Sequence, residues 1–379
     1  MDSLHLPGRS LCLRRMPLRQ GDRLRAWDAA DEYLLEQSRQ HVTAIPAASI
    51  LIVNDAFGAL ATALSGHRPV SWSDSHLGEL ALQHNLRLNG LPGDAVAFLP
   101  GDQDPVGTVD LVLMRFPKSL AWWEDLLLRL RPVLHAETVI LSGGMIKHSP
   151  ARAFGLLESV LGPTKTSLGW KKARLAVTRF DPERNLPARL PPAGYELEEF
   201  GLNLLDDANV FSRRRLDPGT RVLLGHLPAI GQPLEIADLG CGNGVLALAL
   251  ARTCPNARIL GLDESYQAVA SAQRNARRSC LVDPDSGQRV RFEVADGLAG
   301  AEAESLDLVV CNPPFHQGQS RGDLIAWEMF RQARRALRPG GRLYVVGNRH
   351  LGYHLKLKRL FARCESLASH PKFVVLRAE

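Results

Sequence analysis

The amino-acid sequence repeats itself once, and that repeat limits the fold more than any single motif does. Residues 58–64 (Gly-Ala-Leu-Ala-Thr-Ala-Leu) run alongside 244–250 (Gly-Val-Leu-Ala-Leu-Ala-Leu). Val109-Asp-Leu-Val-Leu113 has its counterpart in Leu306-Asp-Leu-Val-Val310, and Leu130-Arg-Pro132 in Leu337-Arg-Pro339. Asp74-Ser75 matches Asp263-Glu264-Ser265. Order and approximate spacing agree, which predicts two copies of one domain. Prolines 182, 187, 191 and 192 mark the boundary, giving domains 1–190 and 191–379.

Within each copy, short apolar runs alternate with stretches of helical spacing. The first copy is expected to hold strands at 49–53, 70–73, 109–113 and 138–141, and helices at 22–36, 59–64 and 120–130. The second is expected to follow a helix ending near 227 with strands at 235–239, 258–262, 290–294, 306–310 and 342–346. Helices belong at 245–253 and 324–337, and an antiparallel hairpin at 366–368 and 372–376 closes the chain at a sheet edge. Strands alternating with helices, apolar on both faces, predict an α/β fold with doubly wound, mainly parallel sheets.

The apolar share of 45% is enough to fill two cores. No apolar run reaches roughly 18 residues, so no membrane-spanning helix is expected. Residues 1–15 scatter Asp2, His5, Arg9 and Arg14 among single leucines, unlike a secretory signal. Six dispersed cysteines without a Cys-x-x-Cys pair point to reduced thiols in a cytoplasmic protein, and away from disulfides and zinc. The net charge of +6 suits an anionic partner such as nucleic acid.

Two stretches of the second copy carry chemistry. Asp238-Leu-Gly-Cys-Gly-Asn-Gly244 lies between a strand and a helix, where glycines let a ligand approach the backbone. A dinucleotide fingerprint would need glycine at position 245, which is Val. The pattern fits an S-adenosylmethionine loop better. Asp263, at the next strand end, suits a ribose diol. Asp296, at the third, suits an adenine amino group. Candidate cofactor residues are therefore Asp238, Gly240, Cys241, Gly242, Gly244, Asp263, Glu264, Asp296 and Asn312. The second stretch, Asn312-Pro313-Pro314-Phe315, ends a buried strand in a stiff turn and supplies the candidate catalytic residues. The Asn312 amide oxygen and a proline carbonyl can accept the two N–H bonds of a planar amine, and Phe315 can stack on the ring that bears it. These residues permit an amine of adenine, cytosine, guanine or glutamine. His316 is a candidate proton acceptor or phosphate contact. No metal ligand set is evident.

The first copy differs at these positions. Asn54 and Ala56 replace Gly240 and Gly242, and Arg115-Phe116-Pro117-Lys118 replaces the Asn312 turn. It is read as a scaffold that has lost the chemistry. Arg115 and Lys118 are expected at the rim of the former pocket, where they would hold RNA; the alternative is a plain buttress for the second copy.

Further blocks are Ala26-Trp-Asp-Ala-Ala-Asp-Glu-Tyr-Leu-Leu35, Trp170-Lys-Lys-Ala-Arg-Leu175, Asn209-Val-Phe-Ser-Arg213, Ala326-Trp-Glu-Met-Phe330 and Asn348-Arg-His350. With Asn54 to Gly58, the glycine loop and the Asn312 turn, they make the chain resemble the RsmC/RlmG-type ribosomal RNA guanine-N2 methyltransferases. The resemblance covers nearly the whole chain. It implies tandem Rossmann-like methyltransferase domains, the first degenerate and aiding RNA binding. It also implies S-adenosylmethionine as donor and N2 methylation of one guanine in 23S ribosomal RNA. The other readings are a 16S guanine-N2 enzyme, an adenine-N6 enzyme on nucleic acid, and a non-catalytic RNA assembly factor that keeps the cofactor. Monomer and weak oligomer remain open.

Overall fold

The computed structural model describes all residues except 1–2, 19–23, 45–46, 149, 229, 231, 233, 282–288 and 315–317, and of residues 318–321 and 369 it describes the backbone alone. The chain divides into two compact units, Met1–Pro191 and Pro192–Glu379. No helix among the described residues is long and apolar enough to cross a membrane.

In the second unit the sheet order is Val290–Val294, Arg258–Asp263, Glu235–Leu239, Leu306–Cys311, Leu337–Asn348, Phe373–Ala378, Cys364–Ser369. The first five strands are parallel and the last two antiparallel, as the closing hairpin requires. The central strands are mostly apolar because helices cover both faces, and Ala237, Val309 and Val310 are cut off from solvent. Helix Val245–Thr253 is buried along its length from Val245 to Ala251. Strand order reverses between Glu235–Leu239 and Leu306–Cys311, which opens a crevice at their carboxyl ends.

The first unit repeats this order: Ala97–Pro100, Val70–Ser73, Ile50–Val53, Val109–Arg115, Leu134–Met145, Ala173–Thr178, Thr164–Thr166. Register gives a residue-level correspondence. Leu239 lies opposite Leu262 and Cys311, and Val53 opposite Trp72 and Met114. Asn54 therefore stands where Gly240 does, and Arg115 where Asn312 does. The helices that follow the second strands are N-capped by Ser75 and Ser265. That places Ser73, not Asp74, at the position of Asp263, and Asp74 opposite Glu264; the sequence echo was one residue out of step here.

The duplication also includes hairpins that the sequence pattern did not announce, Ser3–Leu6 with Arg9–Cys12 and Ala193–Leu197 with Leu202–Asp206. Each is tied down by a fully buried asparagine. Asn85 accepts from the Arg14 N–H (2.7 Å) and donates to the Arg14 and Phe57 carbonyls. Asn275 does the same for the Leu205 N–H (2.8 Å) and the Leu205 and Asn243 carbonyls.

The helix expected at 22–36 runs instead over Ala29–Ala44. Asp28 starts it: its Oδ1 accepts the Ala30 N–H, and Asp31 Oδ2 accepts the Asp28 N–H. Trp27 is buried but Leu24 is exposed, so the apolar face begins at the cap. Arg115 also departs from expectation. Its Nη2 lies 2.8 Å from Asp28 Oδ2, and its Nη1 pairs with Asp31. Burial pushes the Asp31 carboxyl up, and the guanidinium pulls against that. The charge of Arg115 is consumed inside the fold and does not line a rim. Replacing Arg115 with Ala strands a buried carboxylate, and chemical denaturation is expected to show the first unit destabilised by about 3–5 kcal/mol; a loss below about 1 kcal/mol would reduce the cluster to a surface ion pair.

Candidate active site

The glycine loop leaves strand Glu235–Leu239 with Gly240, Gly242 and Gly244 at φ of 79°, 54° and 85°, the left-handed region that favours glycine. Gly240 and Cys241 both donate their N–H to the Leu262 carbonyl, at 2.8 and 2.9 Å. Gly242 N–H donates to Asp263 Oδ2 (2.9 Å), while Asp263 Oδ1 accepts from Ser265 N–H. Asp263 thus locks the loop to the neighbouring strand, and a carboxylate's remaining lone pairs could still take a ribose diol. At the base of the loop, Asp238 Oδ2 accepts the Ala247 N–H (3.0 Å), and Oδ1 has no partner among the described residues. Burial pushes this carboxyl up to about 7.

The glycines have different duties. A Cβ on Gly242 would meet nothing within 4 Å, so its backbone faces open space, whereas one on Gly244 would lie 2.9 Å from the Phe292 ring. The open backbone at Gly242 and the orphaned acceptor of Asp238 fit the amino-acid end of S-adenosylmethionine. Cys241 is buried and its thiol is pushed well above the usual range by burial, so it contributes backbone and packing. Glu264 is exposed at the strand end, and Asp296 is half-buried ahead of Gly297. The Asp296 turn is held by Gln332, whose Oε1 accepts the Leu298 N–H at 2.8 Å. The predicted cofactor residues thus all lie at the carboxyl ends of four neighbouring parallel strands.

Asn312 follows strand Leu306–Cys311 directly. Its Nδ2 donates to Thr220 Oγ1 at 2.7 Å and to Asp217 Oδ2 at 3.1 Å. Its Oδ1 is buried and has no hydrogen-bond partner among the described residues. Pro313 is buried and Pro314 exposed. Phe315 and His316 lie outside the described residues. Asp217 and Thr220 were not singled out from sequence. They open helix Pro218–Leu224, where Asp217 Oδ2 caps the Thr220 N–H at 2.8 Å. The available signal was Asp-Pro-Gly-Thr, an N-cap followed by proline at the first helical position.

The corresponding place in the first unit is filled. Asn54 Nδ2 donates to the Arg115 carbonyl (3.2 Å), and Trp122 Nε1 donates to Asn54 Oδ1 (3.3 Å). Asn54 takes the left-handed conformation at φ 59°, as Gly240 does, but adds a side chain where the cradle would be. Among the described residues, no group of three or more His, Cys, Asp or Glu could hold a metal ion.

Residues 1–182 match the family model described as the RLMG N-terminal domain, and residues 201–377 the methyltransferase small domain. Ribosomal RNA large subunit methyltransferase G of Pseudomonas putida is 50% identical, with 100% of both chains covered. Its namesake from Pseudomonas aeruginosa is 50% identical over 98% of each. Among solved structures, a T. thermophilus 16S rRNA N2 methyltransferase (RsmC) in complex with AdoMet and guanosine aligns with a TM-score of 0.78 at 22% identity. It covers 100% of this chain and 97% of that one.

The two loop glycines separate binding from folding. Gly242→Ala is expected to weaken S-adenosylmethionine binding on the order of 10-fold by calorimetry, with a stability loss of only about 1–2 kcal/mol from its left-handed φ. Gly244→Ala forces the Phe292 ring and is expected to cost about 1–3 kcal/mol more than Gly242→Ala in denaturant melts. Equal stability losses, or unchanged affinity in Gly242→Ala, would contradict this division.

Proposed function

We propose that this chain, which belongs to the ribosomal RNA large subunit methyltransferase G family, methylates the exocyclic N2 amine of one guanine in 23S ribosomal RNA. The methyl donor is S-adenosylmethionine, and the reaction takes place in the cytoplasm. One observation carries the choice of an amine substrate: the buried Oδ1 of Asn312, which has no partner among the described residues. A buried acceptor without a donor costs about 1–3 kcal/mol, and an amine N–H is the donor that relieves it.

S-adenosylmethionine supplies a methyl group on a sulfonium, electrophilic enough to need little acid assistance. The open backbone at Gly242 and the carboxylates of Asp238 and Asp263 would hold it, with Asp296 at the third strand end near its base. What the protein must solve is the nucleophile, because the guanine amine is conjugated into its ring. Asn312 Oδ1 accepts one N–H and a carbonyl of Pro313 or Pro314 the other. That favours a pyramidal nitrogen and aims its lone pair into the crevice. Phe315, which lies outside the described residues, is assigned stacking on the base at about 1–3 kcal/mol, which would offset much of the cost of extruding a paired nucleotide.

The first unit serves as RNA platform through the hairpin of strands Thr164–Thr166 and Ala173–Thr178. Trp170 sits at its tip with Lys171 Nζ 4.3 Å from the ring centroid. Lys171 and Lys172 both hold positive φ, an unusual conformation for lysine that turns the hairpin. Lys165, Lys172 and Arg174 are exposed beside them.

Incubation with labelled S-adenosylmethionine and unmodified 23S and 16S rRNA in parallel, followed by nucleoside analysis, is expected to give N2-methylguanosine in 23S alone. Label in 16S or in N6-methyladenosine overturns the substrate, and measurable cofactor binding with no label in RNA or ribosomal particles overturns the enzyme. Asn312→Ala is expected to leave cofactor affinity within about threefold while lowering turnover at least about 100-fold, the loss usual for a key electrostatic group; unchanged turnover removes Asn312 from the reaction. Replacing Lys165, Lys172 and Arg174 together with Ala is expected to weaken RNA binding and flatten its salt dependence by about two units of log–log slope. Cofactor affinity should stay as it is, and an unaltered slope would return the first unit to a buttress.

A further inference from the structure

We infer that Asp217 and Thr220 are positioning residues that hold the Asn312 amide in the one orientation able to accept a substrate N–H. The inference rests on the amine-methylating role given to Asn312 above. A primary amide has a donor end and an acceptor end of nearly equal size, and a free one can present either. Here the donor end is tied twice, to Thr220 Oγ1 at 2.7 Å and to Asp217 Oδ2 at 3.1 Å. The Thr220 hydroxyl in turn donates its O–H to Asp217 Oδ2 at 3.4 Å. An ionised carboxylate accepts only. A flipped amide would set its oxygen against that carboxylate and its NH2 against the N–H of the substrate, so both contacts would turn repulsive. The acceptor end is what remains, buried and without a partner among the described residues.

The first unit carries the same device with other chemistry. Arg115, at the position of Asn312, is gripped by Asp28, which precedes helix Ala29–Ala44, and by Asp31 three residues on. Asp217 and Thr220 have the same spacing at the start of helix Pro218–Leu224. The first turn of this helix is thus the grip on the residue that leaves the fourth strand in both copies. In the first copy the grip closes into an ion cluster in which both carboxylates bind the one guanidinium. In the second it ties one end of an amide and leaves the other open.

The test separates positioning from helix capping. Asparagine caps a helix about as well as aspartate, so a purely structural role predicts that Asp217→Asn behaves as wild type. As a positioning residue, Asp217→Asn offers Asn312 an NH2 and a carbonyl with equal ease. Turnover is then expected to fall up to about 100-fold, the loss that a small misplacement of a reacting group can produce, with KM for RNA and cofactor affinity within about threefold. Thr220→Val is expected to lower turnover on the order of 10-fold, and Thr220→Ser to restore it. The geometry has a readout that needs no substrate. In the 15N-labelled enzyme the two Asn312 side-chain amide protons, assigned through Asn312→Ala, should be shifted and protected from exchange, and Asp217→Asn should remove both signs. An unprotected Asn312 amide in the wild type overturns the proposal, and so does wild-type turnover in Asp217→Asn. A wild-type enzyme that protects the amide but methylates no RNA refutes the proposed function while leaving the grip in place.

Discussion

Parallel pairing of strand Glu235–Leu239 with neighbours on both sides is the constraint on which the site depends. With Leu239 opposite Leu262 and Cys311, three strands end at one level. The residues that leave those ends (Gly240, Asp263, Asn312) must then share one crevice. Neither the loop nor the turn could assemble this way on an antiparallel sheet, where successive strands end on opposite sides. The loop is further bound to the sheet through two N–H bonds to Leu262 and one to Asp263, so the cradle is part of the sheet edge rather than a flexible appendage.

The duplication shows how little has to change for a site to be lost. Both units have the same strand order, the same serine caps, the same buried asparagine tying down an amino-terminal hairpin, and left-handed residues at Asn54 and Gly240. A side chain at Asn54 and an arginine at 115 are enough to fill the first cradle with internal hydrogen bonds and an ion cluster. The fold is indifferent to the exchange, because both solutions leave the central strands and their covering helices untouched.

Strands and helices of the second unit were legible in the sequence wherever burial on both faces made the apolar runs continuous. The helix Val245–Thr253 and the strand Glu235–Leu239 fall where their spacing places them. The glycine loop and the Asn312 turn were legible because glycine and proline carry backbone geometry in their identity. The hairpin at Ser3–Leu6 was not, because its strands are four residues long and only half apolar. The inward turn of Arg115 was hidden for a different reason: its partner Asp28 is 87 residues away, and a charge looks the same in sequence whether it meets phosphate or an aspartate. Asp217 and Thr220, 95 and 92 residues before Asn312, were hidden in the same way. Local pattern reveals elements and turns; the partners of a polar side chain follow from topology.

The contrast between the two grips also bears on why the active copy keeps an amide. An aspartate at 312 would face Asp217 across about 3 Å, and one of the two would have to stay protonated. A lysine or arginine would pair with Asp217, as Arg115 pairs with Asp28 and Asp31, and would leave nothing to accept a bond. Asparagine alone among side chains of this size has one end that a carboxylate and a hydroxyl can hold, and another that neither can use. The cost of the open end, about 1–3 kcal/mol in the absence of a donor, is small against a unit whose two core clusters cover both faces of a seven-stranded sheet. A fold with that margin can carry an unsatisfied acceptor where a smaller domain would have had to pair it.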